Sequence, residues 1–568
     1  MTWGALALGS GALLGLAALL GGGVGAKAPN DLVARGKNGC VVSAEPRATA
    51  IGMQVLEAGG NAVDAAVAVA LALAVTHPQA GNLGGGGFLL ARMADGKCFA
   101  IDFRERAPAS ATADMYLKTD GSVDEDKVQF GASAAGVPGS PAGLRFALLK
   151  YGSMSLPTVA APAIRLAREG FVVDPFFADD LAAAAKDLGR YASTRKIFFR
   201  DDRPLQAGDM LVQPDLAGTL ERYAKGGLDG FYAGETAKHI VAAMQQGGGF
   251  VSAKDLADYE VREREPLRAT YRGHEVISMP PPSSGGVALL QMLGMLEPSD
   301  LGALGYGGSE SIHLLTEVMR RAYADRSRWL GDPDHYAVPV AGLVSPEYCK
   351  KLAAGIDRQK RSEVAPGLPP GAKESDDTTH LSVVDKAGNA VAITTTINST
   401  FGSCCVVEGA GFLLNNEMDD FSSKPGVPNQ FGLVGGKANA IAPGKRMLSS
   451  MTPTIVVRDG QLRLVLGAPG GGRIITAVLQ TLLNVVDHRM SLAQAVRAPR
   501  IHHQWLPDEI TWEALALAPE VRAALVQKGH TVAKRPRGIG QMFAIEIEPD
   551  GTRVGVCDHR SGGSAGAN

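Results

Sequence analysis

Along the chain, segments whose apolar residues recur at helical spacing alternate with short runs of strand-like pattern, and no internal repeat is apparent. Pro46 to Ala58 reads as a helix stopped by Gly59-Gly60, and Asn61 then caps a second helix running through Val75. That second segment, AVDAAVAVALALAV, is apolar on every side. A surface helix would keep a polar face, so this one is expected in the centre of the core. Helical patterns recur at Pro157 to Glu169, Glu310 to Trp329 and Ile474 to His488.

The pattern breaks between Asp357 and Asp377, where DRQKRSEVAPGLPPGAKESDD is charged, rich in Pro and Gly and nearly empty of large apolar residues, which predicts a solvated linker. Directly after it, TTHLSVVDKAGNAVAITTTIN gives two strand-like runs around a turn at Lys386 to Asn389, a hairpin signature. Symmetric pairing about that turn sets Thr378 opposite Ile397, with Thr396 and Asn398 sharing a face beside Thr378. A one-residue slip would turn both to the other face. A second hairpin, Thr454 to Leu466 with its turn at Asp459-Gly460, leads into Gly467-Ala468-Pro469-Gly470-Gly471-Gly472 and the helix from Ile474. A strand, a glycine-rich loop and a helix N-terminus together make an anion-binding geometry. A phosphate is disfavoured here, because the loop lacks both the GK[ST] ending of a P-loop and GxGxxG spacing.

Composition narrows the function. With 45% hydrophobic and 20% charged residues the chain can bury a large core, and a formal charge of −2 gives no general attraction to nucleic acid. Residues 3 to 26 carry no charge, and their apolar run ends in a Gly-rich stretch where Val24 and Ala26 suit a signal-peptidase site. Residues 1–26 are therefore expected to direct export to the periplasm or medium, with an uncleaved membrane anchor as the alternative. The six cysteines show no CxxC pair and no zinc-like His partners, so free or buried thiols are expected, with no metal and no cofactor.

A flexible linker that delivers a threonine to the first position of a strand is what self-cleavage needs. The hydroxyl can attack the preceding carbonyl, and the product carries a free α-amino group beside its own nucleophile. Longer motifs carry a resemblance: THPQAGNLGGGGF (76–88), DFRERAP (102–108), SMPPPSSGG (278–286), DDTTHLSVVD (376–385), LLNNEMDDFS (413–422), MLSSMTPTIV (447–456) and GAPGGGRIITAVLQ (467–480). Together, in this order, they resemble the gamma-glutamyltranspeptidase family of N-terminal-nucleophile hydrolases.

The resemblance implies an α+β fold, a four-layer αββα sandwich built from two interlocked subunits of one precursor. Cleavage between Asp377 and Thr378 would give a large subunit, 27–377, and a small one, 378–568. Thr378 becomes the nucleophile, Thr396 the hydroxyl beside it, and the Gly470 and Gly471 N–H groups the oxyanion hole. Arg104 would bind the α-carboxylate of a γ-glutamyl donor such as glutathione, with Ser449 and Ser450 on the same side. Glu417 and Asp420 would receive its α-amino group, and Asn398 would touch the glutamyl chain. Water, amino acids or dipeptides would accept the glutamyl group. Arg provides a planar fork for a carboxylate, and paired acids suit an ammonium. Without the resemblance, Arg104 would read as a surface ion pair with Glu105, and Glu417 and Asp420 as a solvated loop.

The alternatives are a cephalosporin or glutaryl acylase of the same superfamily, which needs no ammonium site, and a secreted binding protein that never matures. Other patterns carry less. Gly562 to Gly566 fits GxSxG but reads as a polar tail, Ser193 to Lys196 fits SxxK without companion motifs, and His502-His503 beside Trp505 read as structural. The segment Pro428 to Asn439 resembles the family's lid. It carries Phe431 where some bacterial members have Tyr, so its closure is expected to rest on apolar contact.

Overall fold

A computed structural model describes residues 32–364, 378–424 and 426–568. The leader, Asp377 and residues 365–377 of the linker lie outside the described residues. Fourteen strands build two sheets. In chain order they are β1 (Val33–Gly36), β2 (Cys40–Ser43), β3 (Gly86–Arg92), β4 (Cys98–Phe103), β5 (Arg262–Arg264), β6 (Leu267–Tyr271) and β7 (His274–Ser278), then β8 (Thr379–Val384), β9 (Ala390–Thr396), β10 (Thr454–Arg458), β11 (Gln461–Leu466), β12 (Phe543–Ile547), β13 (Arg553–Cys557) and β14 (Ser564–Ala567).

One sheet runs β1-β13-β12-β11-β10-β7-β6 and the other β14-β2-β8-β9-β3-β4-β5, with antiparallel pairing throughout. The sheets pack face to face through β2, β8 and β9 against β11, β12 and β13. Helices Pro46–Glu57, Ala62–Thr76 and Ser140–Tyr151 cover one outer face. Gly285–Leu296 and Leu492–Arg497 cover the other, with Arg473–Val486 packed on both of them. This is the expected αββα sandwich. Each sheet takes strands from both sides of Thr378, so the segments before and after it share both halves of the core.

The local readings hold with small shifts. Ala62–Thr76 is buried at every residue, and Asn61 and Asp64 form a reciprocal capping box at its start. The hairpin register differs from symmetric pairing by one residue, since Thr379 pairs with Thr395 and Val384 with Ala390. The cause lies in the turn. Asp385 accepts from the N–H groups of Ala387 at 2.9 Å and Asn389 at 3.0 Å, which makes a five-residue loop of 385–389. Thr378 therefore continues the ladder toward Thr396, and Ile397 turns into the core.

Two further readings change. Gly562 to Gly566 is no polar tail, because Ser564–Ala567 is an edge strand paired with β2. The start of the linker is tethered, with Arg320 donating to the Ser362 carbonyl at 2.8 Å and Trp505 to that of Val364 at 3.3 Å. All six cysteines are free. Among the described residues no helix is long and apolar enough to cross a membrane.

Candidate active site

Thr378 stands one residue before β8 and lines a recess with Arg104, Thr396, Asn398, Asp420, Phe431, Ser449, Ser450 and Gly471. The hairpin register brings Thr396, the last residue of β9, beside it. The Thr396 hydroxyl accepts from the Asn398 N–H at 2.7 Å, and Asn398 takes a left-handed backbone (φ 77°) while its amide donates to the Asn416 carbonyl at 2.9 Å. Asn82, from the motif at 76–88, donates to the Thr396 carbonyl at 2.8 Å and to the Thr395 hydroxyl at 3.0 Å. The end of β9 is thus fixed on both sides, which holds Thr396 in place beside Thr378.

The glycine-rich loop lies where β11 passes into helix Arg473–Val486. Gly470 and Gly471 have φ of 133° and 52°, values that L side chains rarely adopt. The turn so formed leaves their N–H groups without a hydrogen-bond acceptor among the described residues. Such groups at a helix N-terminus suit a developing oxyanion. The loop is backed by His380, whose ring is held by Thr394 at 2.9 Å and Ser382 at 3.1 Å. A Cβ on Gly467 would fall 2.1 Å from that ring. Burial pushes the His380 pKa down to about 3, so the ring is neutral and acts as a wall.

Charge is concentrated opposite. Arg104 follows the end of β4, is only 1% exposed, and is clamped at its main chain by Asp102, which accepts from its N–H at 3.0 Å, and by the Tyr259 hydroxyl, which donates to its carbonyl at 2.8 Å. Its guanidinium contacts three carboxylates: Asp420 by a short hydrogen bond, Glu417 at 2.7 Å and Glu105 at 3.4 Å. The sequence-level readings of a surface pair and a solvated loop are both replaced, because these groups are buried together. Burial disfavours the charge on Arg104, yet Glu417, Glu105 and Asp420 hold it above its ordinary value. Burial likewise raises the three acids, Glu105 to about 7, with Arg104 pulling each the other way. Glu417 meets Arg104 as an ion pair without an aligned hydrogen bond.

Ser449 and Ser450 close the recess on the remaining side. Two motifs far apart in sequence meet here: Ser284 donates to the Ser449 carbonyl from its N–H at 2.7 Å and its hydroxyl at 2.6 Å, and Ser283 donates to the Met451 carbonyl at 2.5 Å. A threonine hydroxyl at a strand start, a bent glycine loop, and cationic and anionic groups within one recess can hold a zwitterionic acyl donor and stabilise its tetrahedral intermediate.

The sequence profile of gamma-glutamyltranspeptidase matches residues 48–568. The chain belongs to the gamma-glutamyltranspeptidase family. Its similarity to the glutathione hydrolase proenzyme of Escherichia coli K12 is 50% identity over 532 residues, 93% of this chain and 91% of the relative. Among solved structures, cephalosporin acylase from Bacillus halodurans superposes with a TM-score of 0.85 at 28% identity, covering 96% of this chain and 98% of that one. The gamma-glutamyltranspeptidase of Helicobacter pylori gives a TM-score of 0.55 at 46% identity, covering 56% of this chain and 90% of that one.

The segment that resembles the family's lid is held by more than apolar contact. Phe431 is buried over the recess, but closure does not rest on its ring alone. Gln504 donates to the Phe431 carbonyl at 3.1 Å, and Ser399 donates to Gln430 at 2.8 Å. Asn429 donates to Asp420 at 3.3 Å, which ties the lid to the anionic cluster. His502 and His503 sit behind it as buried packing groups, bonded to Thr476 at 2.9 Å and Asp508 at 3.1 Å. Sequence reasoning missed Asn82, Ser284, Arg326 and Gln504. Three lie in or near noted motifs as polar residues flanking glycines or aromatics, whereas Arg326 sits in an amphipathic helix with no signal of its own.

Proposed function

We propose that this protein is a glutathione hydrolase and γ-glutamyl transferase that matures by cutting itself between Asp377 and Thr378. The observation that carries this reading is the shared recess, which Thr378 lines together with Gly471 of the glycine loop and with Arg104 and Asp420, Glu417 being paired to Arg104 behind them. In maturation the Thr378 hydroxyl attacks the Asp377 carbonyl, the peptide shifts to an ester, and water hydrolyses it. This frees the Thr378 α-amino group and the large-subunit carboxylate. Residues 27–377 and 378–568 stay together as a heterodimer because each sheet is built from both.

In turnover the Thr378 α-amino group takes the hydroxyl proton as the oxygen attacks the donor's γ-carbonyl. The Gly470 and Gly471 N–H groups receive the oxyanion, worth about 3 kcal/mol per donor by analogy with other acyl-transfer sites. Collapse expels the leaving amine with that proton and leaves a γ-glutamyl ester on Thr378, which water or an amino acid or peptide amine then resolves. Thr396 orients the nucleophile, and Asn398 contacts the glutamyl chain. Glu417 and Asp420 take the donor's ammonium, while Arg104, Ser449 and Ser450 take its carboxylate.

The acylase reading, which its structural neighbour from Bacillus halodurans keeps in view, needs no ammonium site. The three buried carboxylates favour the γ-glutamyl reading over it. The charge-free leader supports export. The test is a γ-glutamyl anilide assay with and without a dipeptide acceptor, beside a denaturing gel. Wild-type protein should run as two chains, the smaller starting at Thr378, and release anilide faster with acceptor. Thr378→Ala should stay one inactive chain, and Thr378→Ser should cut and keep some activity. Two normal chains from the Ala variant would overturn the assignment.

A further inference from the structure

A second buried guanidinium stands behind the carboxylate side of the recess. Arg326 lies near the end of helix Ser309–Trp329 and is 5% exposed. No carboxylate lies within ion-pair distance of it among the described residues, in contrast to Arg104 with three. Its Nε donates to the Ser284 hydroxyl at 2.9 Å and its Nη2 to the Ser450 hydroxyl at 3.1 Å. Burying a guanidinium away from any acid is costly, so its counter-charge is expected from outside the folded chain. Burial lowers its pKa below the ordinary guanidinium value, offset in part by Tyr323 and by the more distant Asp420.

The hydrogen bonds fix direction as well as charge. A serine hydroxyl has one proton and two acceptor sites, and an arginine can only donate. Ser284 accepts from Arg326 and gives its own proton to the Ser449 carbonyl. Ser450 accepts from Arg326, and Ser449 accepts from the Met451 N–H at 3.1 Å. Neither the Ser449 nor the Ser450 hydroxyl has an acceptor for its proton among the described residues, and both line the recess. Both are therefore set as donors into it.

We infer that Arg326 is a positioning residue for the donor's α-carboxylate: it orients the Ser450 hydroxyl toward that group and supplies positive charge there with no acid in ion-pair contact among the described residues. This rests on the reading that Ser449 and Ser450 hold the carboxylate. Arg104, outnumbered by Glu105, Glu417 and Asp420, then serves both ends of the zwitterion, and the two ends are sorted by the excess of acid on one side and Arg326 on the other.

The test compares a γ-glutamyl anilide with the 4-aminobutyryl anilide, the same acyl chain without its α-carboxylate. Arg326→Gln should still mature into two chains. It should raise KM for the γ-glutamyl anilide about tenfold, the worth of one charge-assisted hydrogen bond, with kcat changed less than about threefold. Its kcat/KM on the 4-aminobutyryl anilide should stay within about twofold of wild type, and Arg326→Lys should recover part of the KM, since it keeps the charge and loses the fork. Ser284→Ala, a milder change to the same network, should raise KM about threefold for the carboxylate-bearing donor alone and serves if Arg326→Gln does not fold. An unchanged KM, or equal losses on both anilides, overturns the role of Arg326. If wild-type protein shows no preference for the γ-glutamyl anilide, the assignment of Ser449 and Ser450 fails first and this inference falls with it.

Discussion

Replacing Asp420 with alanine separates the γ-glutamyl reading from its acylase rival. Asp420 meets Arg104 Nη2 and accepts from Asn429, and it is proposed to take the donor's ammonium together with Glu417. Breaking a buried pair costs about 3–5 kcal/mol when it strands a charge. That upper range does not apply here, since Arg104 keeps Glu417 at 2.7 Å and Glu105 at 3.4 Å. What is lost is one charge-assisted hydrogen bond to the donor, worth about 1.5–3 kcal/mol, which is roughly 10- to 150-fold in kcat/KM. Maturation needs Thr378 and no donor ammonium, so the variant should still appear as two chains. The assay is kcat/KM on a γ-glutamyl anilide and on the glutaryl anilide, which lacks only the amino group. Wild type should greatly prefer the first, and Asp420→Ala should lose activity on it while changing little on the second. Equal wild-type efficiency on both, or unchanged γ-glutamyl kinetics in the variant, would refute the ammonium site and favour the acylase.

Phe431→Tyr should be tolerated with a modest change in kinetics, because the lid is tied through its main chain to Gln504, whereas Phe431→Ala should admit bulkier donors; a large loss in the Tyr variant would show a dry pocket that rejects the hydroxyl. Gly467→Ala should drive its methyl into the His380 ring, destabilise the fold by about 1–3 kcal/mol and lower kcat by displacing the glycine loop proposed to hold the oxyanion, both readable from thermal melts and anilide kinetics. His380 has a pKa of about 3 in the fold against an ordinary 6.5, so it contributes stability that is complete above 6.5 and is lost as pH falls toward 3, where the unfolded chain binds the proton first. The melting temperature of wild type should therefore fall more steeply between pH 6.5 and 4 than that of His380→Gln, and parallel curves would refute the buried neutral ring.

The periodic segments were legible in the sequence because their signals are local. An all-apolar helix such as Ala62–Thr76 has only the core to occupy, and a linker before a β-hairpin places Thr378 at a strand start whatever surrounds it. The glycines at 470 and 471 likewise announce a backbone that side chains would forbid. Register, burial and charge balance were settled only in three dimensions. Asp385 capping its own turn shifted β8 against β9 by one residue, which sets Thr396 opposite Thr378 where symmetric pairing places Ile397. Glu105, Glu417 and Asp420 look like surface acids in sequence, and they become a buried cluster because β4 and the segment after β9 converge on one guanidinium. Arg326 carries no sequence signal, since its meaning depends on which hydroxyls it meets and on which acids it does not. Local pattern depends on neighbours a few residues away, but the energy of a buried charge depends on every group that replaces its water, and only the tertiary structure specifies those.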